Sequence, residues 1–250
     1  MERAAWLKRM RDKAEALYDH FSPLEDWKES ELYATETHRE YLQSFLERVP
    51  PHSALLSAAC GAGRYDGILL EAGHSVVGID QSAGMLARAR EHFPQVHYDK
   101  IGLQEMDFRE TFDGAICIDA MEHICPEDWP GILQNFWEAL KPNGVLYFTA
   151  NVAEAEKEVV EQAYERAKAQ GLPVVFGEVV DQVEEGFSFF LSYEDVFDIP
   201  KEAIGERGDV AVYHYYPPLK QVQAWIGEAG LAIEKQGTGK WYEHFVVRKR

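Results

Sequence analysis

The chain has 250 residues, 46% of them hydrophobic, enough to bury one full α/β core, and no apolar run approaches the length of a membrane span. Its 43 acidic against 25 basic residues give a formal net charge of -18, which repels a nucleic-acid backbone and leaves small molecules as the expected partners, neutral or cationic ones first. Cys60, Cys117 and Cys125 are an odd, sparse set that fits a reducing cytoplasm, and the opening residues lack the apolar core of a signal peptide.

Leu7, Met10, Ala14, Leu17 and Phe21 recur at spacings of three and four, which predicts an amphipathic helix over the first twenty residues, stopped by Pro23. A second helix is predicted over about 37–47, before Pro50 and Pro51 introduce the first strand. Residues 1–50 thus read as a helical segment; in the family that the motifs below resemble, such a segment caps a cavity, which makes Trp27, Tyr33 and His38 candidates for lining it. From Leu55 onward strands are predicted at about 54–58, 75–79, 96–99, 114–118 and 145–150, with helices at about 64–72, 82–92 and 128–140. Such alternation predicts a doubly wound, mostly parallel sheet covered on both faces.

Residues 151–217 break the pattern. A helix is predicted from Glu154 to Gln170; aromatics follow at Phe187, Phe189, Phe190, Tyr193 and Phe197, then at Tyr213, His214, Tyr215 and Tyr216. The segment carries -10 of the net charge, and its aromatics exceed what so acidic a surface insertion needs, so it reads as a lid over a pocket. The plainer alternative is a solvated insertion with a small core of its own. Residues 218–250 restore the pattern with a helix over Leu219–Ala229 and strands over Leu231–Lys235 and Trp241–Val247.

The chemistry concentrates between Leu55 and Asp80. An apolar run feeds a glycine-rich turn, the turn opens a helix, and a second apolar run ends in a carboxylate. Gly61 and Gly63 let the turn take unusual backbone angles and let a ligand approach closely. Asp80, nineteen residues after Gly61, ends the second strand beside that turn, where a carboxylate can accept hydrogen bonds from both hydroxyls of a ribose. A dinucleotide fingerprint would place a third glycine where Asp66 stands, and no phosphate-cradling Gly-Lys-Ser/Thr is present. The pocket is thus read as one for a nucleoside without phosphates.

Ala58-Ala59-Cys60-Gly61-Ala62-Gly63-Arg64-Tyr65, followed by Val76-Val77-Gly78-Ile79-Asp80-Gln81-Ser82-Ala83-Gly84-Met85, resembles the first two motifs of class I S-adenosylmethionine-dependent methyltransferases. Phe112-Asp113-Gly114, Met121-Glu122-His123 and Leu140-Lys141-Pro142-Asn143-Gly144 extend the resemblance in register over roughly Leu55 to Ala150. It implies a Rossmann-like seven-stranded sheet with an antiparallel final strand, and S-adenosyl-L-methionine as cofactor. On that resemblance the cofactor is expected to lie against Ser57, Ala59, Gly61, Gly63, Asp80, Gln81, Met85, Leu103, Gln104, Asp119 and Ala120. Gln104 falls where the family holds adenine, and Asp119-Ala120 where its backbone meets the methionyl end. Two positions depart from the family: it usually has an acid where Ser57 stands and a glycine where Ala59 stands.

The resemblance implies transfer of a methyl group to an oxygen or nitrogen of a small-molecule acceptor, with positioning and water exclusion as the protein's main tasks. If the acceptor must lose a proton, His123, after the fourth strand, is the first candidate base and His214 the second. Asp119, Glu122 and His123 lack a fourth anchor for a metal, and none is expected. A non-catalytic S-adenosylmethionine sensor is the main alternative, and a nicotinamide-dependent oxidoreductase the third.

Overall fold

In the computed structural model, residues 3–21, 35–153, 187–192 and 211–250 are described. Helix α1 (Arg3–Phe21) buries Met10, Ala14 and Leu17, as its spacing predicts. Helix α2 (Glu36–Leu46) is capped by Thr35, whose hydroxyl accepts from the His38 N–H, and it buries Tyr41, Leu42 and Phe45. Strand β1 (Ala54–Ala58), helix α3 (Asp66–Glu71), strand β2 (Ser75–Asp80), helix α4 (Ala83–His92) and strand β3 (His97–Lys100) follow. Next come β4 (Phe112–Cys117), α5 (Trp129–Ala139) and β5 (Leu140–Ala150). Helix α6 (Leu219–Glu228) and strands β8 (Leu231–Thr238) and β9 (Glu243–Lys249) close the chain.

The seven strands run in the order β3-β2-β1-β4-β5-β9-β8. All contacts from β3 to β5 are parallel, while β9 inserts antiparallel between β5 and the edge strand β8. The expected Rossmann-like architecture is therefore present. One apolar layer joins the sheet to α5 and α6 through Trp129, Ile132, Phe136, Val222 and Ile226. The other joins it to α2, α3 and α4 through Phe45, Leu69 and Leu86. The chain order reverses at β1 and β4, and open α/β sheets bind ligands beyond the carboxyl ends of the strands at such a reversal.

Strand β5 begins five residues before the expected start. Leu140 pairs with Phe112, a bulge absorbs the Lys-Pro-Asn-Gly stretch with Asn143 at φ 65°, and pairing resumes at Val145 opposite Gly114. Strand β8 likewise runs on to Thr238, three residues past the expected end at Lys235.

Strands β6 (Phe187–Ser192) and β7 (Ala211–Tyr216) form a separate antiparallel pair, with Phe189 opposite His214. The helix expected over 154–170, and Trp27, Tyr33, Tyr193 and Phe197, lie outside the described residues. Trp6 of α1 meets Tyr213 of β7 edge-on at 5.2 Å, so the N-terminal helix and the β6–β7 pair adjoin. Among the described residues no helix is long and apolar enough to cross a membrane.

Candidate functional site

The glycine turn leaves β1 through left-handed backbone at Ala59 (φ 49°), Gly61 (φ 54°) and Gly63 (φ 81°). The Cys60 N–H donates to the Ile79 carbonyl at 3.0 Å, which ties the turn to the end of β2. A Cβ placed on Gly61 would meet nothing within 4 Å, so the space above it is open to a ligand. A Cβ on Gly63 would press against Asp66, Phe93 and Tyr98 at 3.1 Å, so that glycine serves packing.

Ala59 occupies a conformation that an L-residue with a Cβ adopts at a cost of roughly 1–2 kcal/mol. Ala59→Gly is expected to relieve most of this, less the greater entropy of the unfolded chain, for a net gain of about 1 kcal/mol. Calorimetry should record a Tm rise of roughly 2–4 °C; a fall would show that the turn is not strained there.

Asp80 faces the turn. Its Oδ2 accepts the Gly61 N–H at 2.9 Å and its Oδ1 accepts the Ser82 N–H at 2.8 Å. Burial nevertheless raises its pKa, the two backbone donors opposing that and Asp19 adding to it. Each carboxylate oxygen keeps lone-pair capacity for a further donor. The carboxylate is oriented before any ligand arrives.

Asp66 does not face the ligand space. It is fully buried, accepts the Tyr98 hydroxyl at 2.7 Å, and lies beside Ser57, whose hydroxyl helps hold its raised pKa down. The acid that would repel a pyrophosphate is therefore engaged inward, and Ser57 is turned to it.

Beyond β2 and β3 lies a groove of about 600 Å³, lined by Gln81, Lys100, Ile101 and Gly102 on the sheet side and by Lys8, Arg11 and Glu15 of α1 on the other. Helix α1 is fastened across it. Asp19 Oδ1 accepts the Ser82 hydroxyl at 2.6 Å and the Gly84 N–H at 2.8 Å, occupying the amino end of α4, and Lys100 pairs with Glu15 at 2.6 Å. Of the expected cofactor residues Gln81 alone lines this groove; Asp80 and the glycine turn lie outside its wall, Met85 is 2% exposed in the first turn of α4, and Leu103 is buried. The Gln104 side-chain amide donates to Asp128 at 3.3 Å, directed toward the start of α5.

At the tip of β4, Asp119 takes left-handed backbone (φ 56°) and gathers four side chains. Its Oδ1 meets His38 Nε2 at 3.0 Å and the Thr149 hydroxyl at 3.4 Å; its Oδ2 meets Arg64 at 3.3 Å and the Tyr65 hydroxyl at 3.5 Å. Its N–H donates to Thr149 Oγ1 at 2.8 Å. His38 and Arg64 were the less visible members. His38 arrives from a distant helix, whereas Arg64 directly follows Gly63, a position that could have flagged it.

Farther out, Glu122 is 6% exposed, accepts the Tyr242 hydroxyl at 3.3 Å, and has its pKa pushed up to about 8 by burial and by nearby Asp119. The two expected bases come together there. The His123 and His214 rings lie 4.7 Å apart, and His123 Nε2 is 2.7 Å from the Tyr18 hydroxyl. Burial lowers His123 to about 4 and holds His214 well below its ordinary value, so both are neutral at pH 7.

A family model described as a methyltransferase domain matches residues 55–144. A malonyl-[acyl-carrier protein] O-methyltransferase of Pectobacterium atrosepticum is 28% identical over 62% of this chain and 56% of its own length. A ubiquinone biosynthesis O-methyltransferase of Rhodopseudomonas palustris is 32% identical over 37% of each. The chain thus spans little more than half of the first relative and about a third of the second. The structure of a Burkholderia thailandensis 1,6-didemethyltoxoflavin-N1-methyltransferase, with 1,6-didemethyltoxoflavin and S-adenosylhomocysteine bound, superposes with a TM-score of 0.64 at 15% identity, covering 100% of this chain and 91% of that one. Residues 55–144 thus match a methyltransferase domain, on a sheet of this order with the glycine turn and its carboxylate at the strand reversal.

Proposed function

We propose that the chain binds S-adenosyl-L-methionine across the tips of β2, β1 and β4 and transfers its methyl group to an oxygen or nitrogen of a small-molecule acceptor. The observation that carries this reading is Asp80, held by the Gly61 and Ser82 N–H groups beside the open face of Gly61. That carboxylate and that opening fit the hydroxyls of a ribose. Gln81, Ile101 and Gly102 would flank the base, and the turn and Asp119 the tail.

When bound, the cofactor supplies an already activated methyl group. The protein's own residues then position the acceptor, keep water out and take up a proton where one is released. Helix α1 and the β6–β7 pair would cover the acceptor side, with residues 151–217 as the lid. Among the groups there, Glu122 at about 8 is mostly protonated at neutral pH and takes up a proton only through its ionised fraction, which grows as pH rises toward 8. His123, at about 4, holds a proton too weakly for that task, and with His214 it suits orienting the acceptor by hydrogen bonds.

The test is transfer of labelled methyl to a panel of phenols, carboxylic acids and amines, run alongside calorimetric titration with S-adenosylhomocysteine. Turnover on any member supports the proposal. Tight binding with no turnover on the whole panel would favour the sensor reading, and no binding at all would remove the cofactor assignment.

A further inference from the structure

Strands β4 and β5 run side by side and parallel, and two residues past their ends, Glu122 and Asn151, are each 6% exposed. Both are fastened by one atom to the same stretch ahead of β9. The Tyr242 hydroxyl donates to Glu122 Oε1 at 3.3 Å, and the Asn151 amide donates to the Trp241 carbonyl at 3.0 Å. The second oxygen of each, Glu122 Oε2 and Asn151 Oδ1, is buried with no donor among the described residues. A buried oxygen in that state has lost its water and gained nothing in return, a cost that a donor brought by a ligand removes.

The surrounding charge decides what kind of donor that is. Asp119 is the charged neighbour acting on Glu122, and it is negative. Arg64 and His38 are directed to Asp119, as is the Thr149 hydroxyl of β5. Strand β7 packs on the turn over residues 121–123 and brings His214, which like His123 is neutral at pH 7. A carboxylate ligand would be repelled here. A hydroxyl has one hydrogen to offer two acceptors, whereas an ammonium offers three and a positive charge.

Resting on the methyl-transfer reading above, we infer that Glu122 and Asn151 form a receptor for a protonated amine on the acceptor, which makes nitrogen rather than oxygen the methylated atom. Glu122 Oε2 accepts one N–H and Asn151 Oδ1 another. Glu122 is mostly protonated at pH 7 before the ligand arrives, so the cation drives that proton to water and pairs with the carboxylate. One proton of the ammonium then passes to the carboxylate. That leaves a neutral amine and a neutral carboxyl, and it frees the nitrogen lone pair.

Benzylamine, phenethylamine and phenylpropylamine, each beside the alcohol of matching chain, serve as probes; their rings suit the aromatic side chains of this end, Tyr18, Tyr213 and Tyr242. Calorimetric titration at pH 7 is run on the full chain, on Glu122→Gln and on Asn151→Ala, with melting curves to verify folding and S-adenosylhomocysteine titrated on the same samples. The wild type should bind at least one amine more tightly than its alcohol. Glu122→Gln should reduce that preference by roughly tenfold to a hundredfold, the range of a hydrogen bond to a charged group, and Asn151→Ala by roughly threefold to tenfold. Repeating the titration in buffers of differing ionisation heat counts protons: the wild type should release nearly one per amine bound, and Glu122→Gln none. No preference for any amine over its alcohol in the wild type, or a preference undiminished in Glu122→Gln, overturns the inference. An amine preference that behaves as expected in a chain that fails to bind S-adenosylhomocysteine would instead overturn the cofactor reading and leave the receptor standing.

Discussion

Asp80→Ala is expected to abolish measurable S-adenosylhomocysteine binding while the chain remains folded. The variant removes the proposed acceptor of two ribose hydroxyls, and it also frees the Gly61 and Ser82 N–H groups that set the turn. Two hydrogen bonds to a charged group are together worth roughly 3–6 kcal/mol, a loss of at least a hundredfold in affinity. Asp80 has a raised pKa, so burying its charge costs stability, and the fold should lose little or even gain when the carboxyl is removed. Titration and thermal melting of the same sample check both halves. Retained affinity in a folded variant would show that the sugar is held elsewhere.

Glu122→Gln is expected to stabilise the protein at alkaline pH. A folded-state pKa of about 8, against the usual carboxylate value of 4.5, means that the folded chain binds more protons than the unfolded one between those limits. Stability therefore falls as pH rises through that window, by on the order of 5 kcal/mol once pH exceeds 8. Glutamine keeps a carbonyl for Tyr242 and removes the titration, so the variant should lose the alkaline slope and melt roughly 10 °C higher at pH 9. The acid side has the opposite sign. His123 and His244, lowered to about 4 and about 3, stay neutral in the fold while the unfolded chain gains protons below 6.5. Wild-type stability should peak near pH 6, and melting curves of both proteins from pH 4 to 9 measure each limb. An alkaline limb identical in the two would place the slope on another group.

The glycine turn, Asp80 and the strand alternation were legible because each is local: a period of two or 3.6, or a glycine beside a strand end, can be seen in one stretch of text. The Asp119 cluster was not. Its members come from three separate segments, His38 from α2, Arg64 and Tyr65 from the glycine turn and Thr149 from β5, and only the fold brings them together at Asp119. Gln104 shows the same limit. It follows β3 as expected, but the acid that engages its amide, Asp128, comes from the start of α5. The two histidines were found by residue type, whereas their weak basicity follows from burial, which no spacing reveals.

Tyr18 and Asp19 are successive residues of α1, yet one meets His123 and the other caps α4 beside Asp80. A single rigid rod thus bolts down both ends of the cleft. On the proposed function, lifting it would unfasten the two together, so cofactor and acceptor would share one door.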